Sequence, residues 1–596
     1  MPPEYPLAPI VASEFKNTAP DVAYVGAKAC AECHESEHST YLHTTHSRAF
    51  READPAAEPP DAEFQHAASG RSYQVYRRDG KLYHRETLLP AGAVDEPLVV
   101  EHPVRYSLGS NTYGRSYLIE VDGFLAQSPI SWYEKAKTWD ISPGYDVPFH
   151  QSFTRSVGVK CLACHVGRVE ATEHSSSRVK IHEAAIGCEA CHGPGSLHVE
   201  RRQQASLPAG EPDLTIVNPA RLSRDRQEAI CAQCHLSGVS WVALRGRDPL
   251  EYRPSLRLED FRAYYVHDSP STELTAAGHI EQMHQSACYK GSQSLTCTTC
   301  HDPHQDERHY TAGEAGLGAF YRSKCLTCHG EQSCGLPIKD ERRRERQDHC
   351  ATCHMPRSKF SIPHAATTNH CIGVHATPTD GEPTGAAKKP SVAPPLRPFY
   401  ELDHLSPIDR DRNLGLAYYY GQFLSKHPAP DYGERALVLL RGVRERGLHD
   451  PEVDGALADL LLSSDPSAAA ESARSALDSE KLSAEGYVGA LAALSQAHLR
   501  AEEYDLAEKS LERLVRVERR ASFWLQLGIC RGKLGKTEAA IAAVSEAVKI
   551  DPAHVDARSL LAALYEQAGQ SDRAEAQRRF EMRLREWIKS REPFLK

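Results

Sequence analysis

Hydrophobic and polar residues alternate along residues 60–150. SYQVY and KLYHR flank Asp79-Gly80, and SYLIEV and FLAQ flank Asp122-Gly123. Alternation on both sides of an Asp-Gly pair predicts two-residue hairpins, since both turn residues adopt positive φ at low cost. This stretch is therefore expected to be a small β-rich insert. From residue 400 to 596 the pattern becomes helical and rich in Ala and Leu. It repeats at roughly 34 residues, the length of a helix-turn-helix repeat unit. One copy carries Trp524, Leu527, Gly528, Gly535, Ala540, Ala547 and Pro552, and the next Leu561, Ala562, Tyr565, Gly569 and Ala574. An earlier copy carries Leu491, Leu494, His498, Ala507, Leu511 and Leu514. Small residues where paired helices touch and bulky ones in the holes fit a tetratricopeptide-type solenoid. Residues 376–399 are rich in Pro, Gly and Ala and read as a linker.

Residues 151–375 lack long apolar stretches, so their core needs another source. The chain holds 18 Cys and 31 His. C-x-x-C-H occurs seven times. The copies, numbered motifs 1 to 7 in chain order, are Cys30, Cys33 and His34; Cys161, Cys164 and His165; Cys188, Cys191 and His192; Cys231, Cys234 and His235; Cys297, Cys300 and His301; Cys325, Cys328 and His329; and Cys350, Cys353 and His354. This is the attachment signature of c-type haem. Two thiols one turn apart meet the two vinyl groups of a porphyrin, and the following imidazole reaches the iron. Zinc also takes paired cysteines, but does not require a histidine after every pair. The expectation is seven covalently bound haem c groups with their iron, forming much of the core between them.

Each iron needs a group on its far face. Histidines outnumber the motifs several-fold, whereas the chain has only four Met. Of these only Met283 is placed to serve. The expected distal ligands are His46, His182, His198, His284, His304, His364 and His370, with His150, His174, His279 and His375 in reserve. His84 and His102 are expected to be structural. Outside the motifs stand Cys288, Cys334, Cys371 and Cys530, and a Cys288–Cys334 disulfide is expected in an exported protein.

The segments GVKCLACHVGR, GCEACHGPGSLHV, LTCTTCHDPH and CATCHMP resemble the multihaem cytochromes of nitrogen and sulfur metabolism. That superfamily includes the tetrahaem acceptor of hydroxylamine oxidoreductase, the oxidoreductase itself and pentahaem nitrite reductase. The resemblance covers about residues 25–375 and implies stacked and perpendicular haem pairs with mostly bis-His iron. No C-x-x-C-K motif of the reductase type occurs, and no Tyr can be assigned as a cross-link to an active haem.

The expected fold is mainly α. Residues 1–59 carry motif 1, 60–150 form the β-rich insert, 151–375 the six-motif core, 376–399 the linker and 400–596 the repeat solenoid. The expected function is electron transport along a chain of mostly bis-His haems, with the repeats docking redox partner proteins or other copies of the chain. The alternative is an oxidoreductase acting on a small nitrogen or sulfur compound at one open haem. Tyr106, Tyr113, Tyr117, Trp132 and Tyr133 would then line its pocket, unless they are core of the sheet. Acidic residues outnumber basic ones, 80 to 70, which argues against nucleic acid. No apolar run is long enough for a membrane span. Haem attachment implies a location in the periplasm or outside the cell. The opening MPPEYPLAPIVASEF lacks the basic start and apolar stretch of an export signal.

Overall fold

A computed structural model describes residues 5–89, 96–110, 112–172, 174–204, 211–268, 277–311, 313–359, 364, 366–375, 394–424 and 431–595. Most of the expected linker lies outside the described residues. The chain forms two compact units, each assembled from separate stretches. One contains residues 1–49, 185–361 and 365–443, and the other residues 50–184, 362–364 and 444–596. Among the described residues no helix is long and apolar enough to cross a membrane.

The second unit is built on an antiparallel sheet of ten strands. These are β1 (Phe50–Glu52), β2 (Ala62–His66), β3 (Arg71–Arg78), β4 (Lys81–Leu89), β5 (Leu98–Leu108), β6 (Gly114–Val121), β7 (Phe124–Gln127), β8 (Ile130–Tyr133), β9 (Thr138–Ile141) and β10 (Arg155–Ser156). Both expected hairpins form. Asp79 and Gly80 have φ of 51° and 69°, and Asp122 and Gly123 have 54° and 81°. Alternation puts Tyr73, Val75 and Leu82 on one face, where they pack with Tyr117, Trp132 and Trp139. Tyr117, Trp132 and Tyr133 are thus sheet core, and Tyr113 is exposed. The same sheet buries Arg71 and Glu86, which satisfy each other at 2.9 Å.

The repeat helices belong to this unit. Pairs such as Ala521–Lys533 with Thr537–Ile550 and Val555–Gln567 with Ser571–Arg591 pack antiparallel. Gly528 lies where any side chain would strike Val544, and Gly535 and Gly569, at φ of 74° and 70°, turn the chain between paired helices. The helices do not stand alone. Leu584 is buried with Leu88, Leu89 and Leu98 of the sheet, flanked by Phe580 and Trp587. Buried Glu518 accepts from Ser156 Oγ at 2.8 Å and Ser176 Oγ at 3.2 Å. Trp587 Nε1 donates to Ser69 O at 3.0 Å.

The first unit has less regular structure. Its apolar core gathers Ala229, Ala232, Leu236, Tyr252, Leu258, Phe261, Tyr264, Ile280 and Met283 around the helix Arg224–His235. Met283 is thereby committed to packing. From residue 287 to 395 no hydrophobic side chain is buried among the described residues. Yet this stretch folds into several short helices and carries motifs 5 to 7.

Candidate haem sites

Five residues suffice for the local geometry of each motif. In motifs 1, 3, 5 and 6 the N–H of His34, His192, His301 and His329 donates to the first cysteine carbonyl, at 2.9, 3.0, 3.0 and 2.9 Å. One helical turn therefore sets both thiols on one side with the imidazole after them. The second cysteine is held by the same turn. Cys33 N–H donates to Cys30 O and Cys328 N–H to Cys325 O at 3.2 Å, Cys191 to Cys188 at 3.1 Å and Cys300 to Cys297 at 3.2 Å. Motif 2 is tighter, with His165 N–H donating to Leu162 O at 2.8 Å. It sits in the second unit, where Leu162 and Val166 pack against Phe50, Leu118 and Leu125. The other six motifs lie in the first unit.

All fourteen motif cysteines are free thiols. Cys33, Cys161 and Cys328 are exposed, and Cys164, Cys234 and Cys353 are half-buried. Cys234 lies on the helix Arg224–His235 beside Cys231, and Cys353 on the helix Cys350–His354 beside Cys350. Among the described residues no three His, Cys, Asp or Glu side chains converge on one point to form a metal cage. In haem attachment the thiols bond to porphyrin carbons, and the protein gives the iron only its two axial groups.

The structure brings four of the expected distal histidines to motif histidines. Ring centroids lie 6.3 Å apart for His34 and His198, 6.0 Å for His192 and His304, 6.2 Å for His235 and His46, and 6.4 Å for His301 and His370. Metal–imidazole bonds of about 2.0 Å, with about 1.1 Å from nitrogen to ring centre, put trans imidazoles roughly 6.2 Å apart. Ordinary aromatic packing spans the same range. Each joins one motif histidine to one histidine outside the motifs at this separation, whereas the rings of His235 and His279 lie closer, at 5.1 Å.

The far nitrogens are held as metal-binding imidazoles require. His192 Nδ1 donates to Val217 O at 2.8 Å, His354 Nδ1 to Gly373 O at 2.9 Å and His370 Nδ1 to Thr368 O at 3.0 Å. His198 Nδ1 donates to Asp213 Oδ2 at 2.8 Å. Asp213 is held at about 2 despite partial burial by Thr215 and His198. Burial pushes the His46, His192 and His370 imidazoles down, and nearby His301 adds to this at His46 and His370. Neutral imidazole is the form that binds metal.

Motifs 2, 6 and 7 differ from the other four. Among the described residues no second imidazole pairs with His165, His329 or His354. His329 is exposed, and His165 and His354 are half-buried. The remaining three expected distal ligands meet carboxylates instead. His182 Nε2 lies 3.2 Å from Glu170, and His364 Nε2 lies 2.7 Å from Asp140. His284 Nε2 donates to Glu228 Oε1 at 2.8 Å. Among the reserves, His174 stacks on Tyr487 at 4.7 Å, and His375 Nε2 donates to Cys371 O at 2.9 Å. His150 Nδ1 accepts from Ser152 N–H at 3.1 Å, and its Nε2 lies 2.7 Å from Tyr73 OH. The expected disulfide does not form. Cys288 and Cys334 are both free thiols. Cys288, on the short helix Ala287–Gly291, has the motif cysteines Cys300 and Cys325 as electrostatic neighbours, whereas Cys334 neighbours Arg343.

Sequence reading missed the residues that brace these motifs. Glu189, inside motif 3 and buried, accepts from Val25, Gly26 and Gly195 N–H at 2.9, 2.8 and 2.8 Å. Asn17 Nδ2 donates to His192 O and Pro194 O at 2.9 and 3.2 Å. Gly193, at φ 74°, leaves room for it: a Cβ there would lie 2.7 Å from Asn17 Nδ2. Glu228, one turn before Cys231, also accepts from Tyr289 OH at 2.6 Å and Tyr400 OH at 3.0 Å. Its burial opposes ionisation, but His284 and the two tyrosines outweigh that and hold it below the usual carboxylate range.

A Glu228→Gln substitution should destabilise the first unit by about 1–3 kcal/mol, since it sets an amide N–H against buried donors. In the native protein this lowered carboxyl contributes stability at neutral pH that is lost as pH falls below the ordinary carboxylate range. Denaturant unfolding at pH 7 and pH 4 should show the gap between native protein and variant narrowing in acid.

The residues fit haem c. Imidazole faces imidazole at four motifs, no motif cysteine is joined to another, and the stretch around motifs 5 to 7 has no buried apolar side chains of its own among the described residues. The cytochrome c554 and c-prime family matches residues 29–75 and 135–193, and a tetratricopeptide repeat family matches residues 533–577. The multiheme cytochrome MtrA of Shewanella baltica is 22% identical over 192 residues, covering 29% of this chain and 52% of that protein. The dissimilatory sulfite reductase MccA of Wolinella succinogenes is 22% identical over 377 residues, covering 56% of this chain and 50% of that protein. Cytochrome c-552 of Aliarcobacter butzleri is 25% identical over 186 residues, 27% of this chain and 36% of that protein. The chain spans about half or less of the length of these relatives. A solved structure of MamA from Desulfovibrio magneticus aligns with 30% of this chain and 96% of its own at 19% identity, with a TM-score of 0.26. The chain is thus similar to multihaem c-type cytochromes in its motif-bearing part and to tetratricopeptide repeats near its C-terminus.

Proposed function

We propose that the protein is an exported heptahaem electron carrier, working in the periplasm or outside the cell between redox partner proteins. Bound iron would supply one-electron storage, and the chain sets its potential and spacing. The observation that carries this reading is the set of four histidine pairs at 6.0–6.4 Å. His34 with His198, His192 with His304, His235 with His46 and His301 with His370 are read as the axial pairs of haems 1, 3, 4 and 5. An iron with imidazole on both faces exchanges electrons without a free site for substrate, and two strong donors keep its potential below that of Met/His cytochromes. His165, His329 and His354 are read as the proximal ligands of haems 2, 6 and 7. The repeats are read as serving partner docking or self-association through the surface they leave free.

A second reading is an oxidoreductase with one open haem. The likeness to MccA, named a dissimilatory sulfite reductase, favours it. One experiment separates the two. Intact mass after acid denaturation should retain seven haems through the fourteen motif cysteines. Haems 1, 3, 4 and 5 of the reduced protein should then fail to bind carbon monoxide, and the protein should not be oxidised at enzyme rates by sulfite, nitrite, hydroxylamine or tetrathionate. Stoichiometric carbon monoxide binding, with rapid oxidation by any of these, would replace the carrier with the enzyme.

A further inference from the structure

The helix His279–Gln285 touches the proposed ligands of two different haems. Glu281 accepts from Ser237 N–H at 2.9 Å and Gly238 N–H at 2.6 Å, gripping the chain just after His235. Its neighbour Gln282 accepts through Oε1 from His370 N–H at 2.8 Å. Ser286, immediately after the helix, donates its Oγ–H to His370 O at 3.1 Å and accepts from Ile372 N–H at 2.8 Å. His279 is the first residue of this helix. Its Nδ1 lies 3.0 Å from His235 Nδ1, and its ring meets His370 edge-on at 4.5 Å.

We infer that His279 is a positioning residue, the hydrogen-bond acceptor that orients His235 on haem 4 and links it to the His370 ligand of haem 5. This rests on the axial pairing proposed above. If His235 gives Nε2 to iron, its proton sits on Nδ1, and His279 Nδ1 must accept it. His279 then carries its own proton on Nε2. Most metal-bound histidines donate that proton to a carbonyl or carboxylate. An imidazole here joins two haems through one hydrogen bond and one ring contact, in a helix that Glu281, Gln282 and the following Ser286 tie to both ligand segments. Accepting the Nδ1 proton makes His235 a stronger donor, which favours ferric iron.

The test uses the full-length holoprotein and compares His279→Phe, which keeps a ring but cannot accept, with His279→Asn, whose amide oxygen stands near the Nδ1 position. His279→Leu serves as a second variant without an acceptor. Haem content, low-spin electron paramagnetic resonance signals and stepwise potentiometry are read on each. In the Phe and Leu variants all haems should stay low-spin, while one midpoint moves positive by about tenfold in its reduction equilibrium, or 59 mV for one electron. Asn should reverse most of that shift. Unchanged midpoints, or equal shifts in all three variants, would overturn the positioning role and leave the axial pairing standing. A new high-spin haem would make His279 an iron ligand and overturn both.

Discussion

A chain ending at residue 443 should keep the first unit and lose the fold of residues 50–184. Leu88, Leu89 and Leu98 are buried against Leu584, Phe580 and Trp587 of the C-terminal helices. Exposing three or four leucines costs about 1.5–3 kcal/mol each. The total is on the scale of the whole stability of a domain, about 5–15 kcal/mol. Polar losses add to it. Ser156 and Ser176 lose Glu518, and Arg71 loses the Trp587 ring that lies 5.3 Å away. The shortened protein should show rapid proteolysis within residues 50–184 and disturbed absorption from the haem at motif 2, while the motifs of the first unit stay protected. The single substitution Leu584→Ala, at a side chain with 0% exposure, should cost about 2–5 kcal/mol by itself. A shortened chain whose β strands resist protease as well as the full protein would show that the repeats are dispensable to them.

That packing was hidden from the sequence for a physical reason. Composition marks where apolar content and periodicity change, at 376–399, whereas the two compact units part at residues 443 and 444. It does not reveal which distant surface covers an apolar face. Leu88, Leu89 and Leu98 look like sheet core, and Leu584 looks like a face of the last repeat. That they cover one another is tertiary information. The hairpins were legible because Asp79-Gly80 and Asp122-Gly123 act locally through φ. The motifs were legible because thioether attachment needs two thiols and an imidazole within five residues. His198 and His304 were legible as distal candidates from their haem-dense context. Their partners were not, since His198 meets the motif 1 histidine rather than its neighbour in motif 3. His284 shared the same context, but nothing local to it signals that Glu228, Tyr289 and Tyr400 converge there.

Removing a proposed distal histidine should have the largest spectroscopic effect of any point change. In His304→Ala the imidazole facing His192 is gone, and alanine has no donor to replace it. Haem 3 should become five-coordinate and high-spin. The reduced variant should bind one more carbon monoxide per protein than the parent, and added imidazole should restore the low-spin spectrum of haem 3. Its midpoint should rise, because one of two strong donors to ferric iron is lost. His46→Ala, His198→Ala and His370→Ala should do the same to haems 4, 1 and 5, each at its own potential. The controls are set by geometry. His284 gives its Nε2 to Glu228 and His364 lies against Asp140, so alanine at either position should leave every haem low-spin. At position 284 the cost should instead appear as lost stability, since Glu228 keeps its two tyrosines but loses the imidazole N–H donor. If His284→Ala creates a high-spin haem and His304→Ala does not, the ring separations reflect ordinary packing rather than coordination. The electron path would then need a different set of ligands.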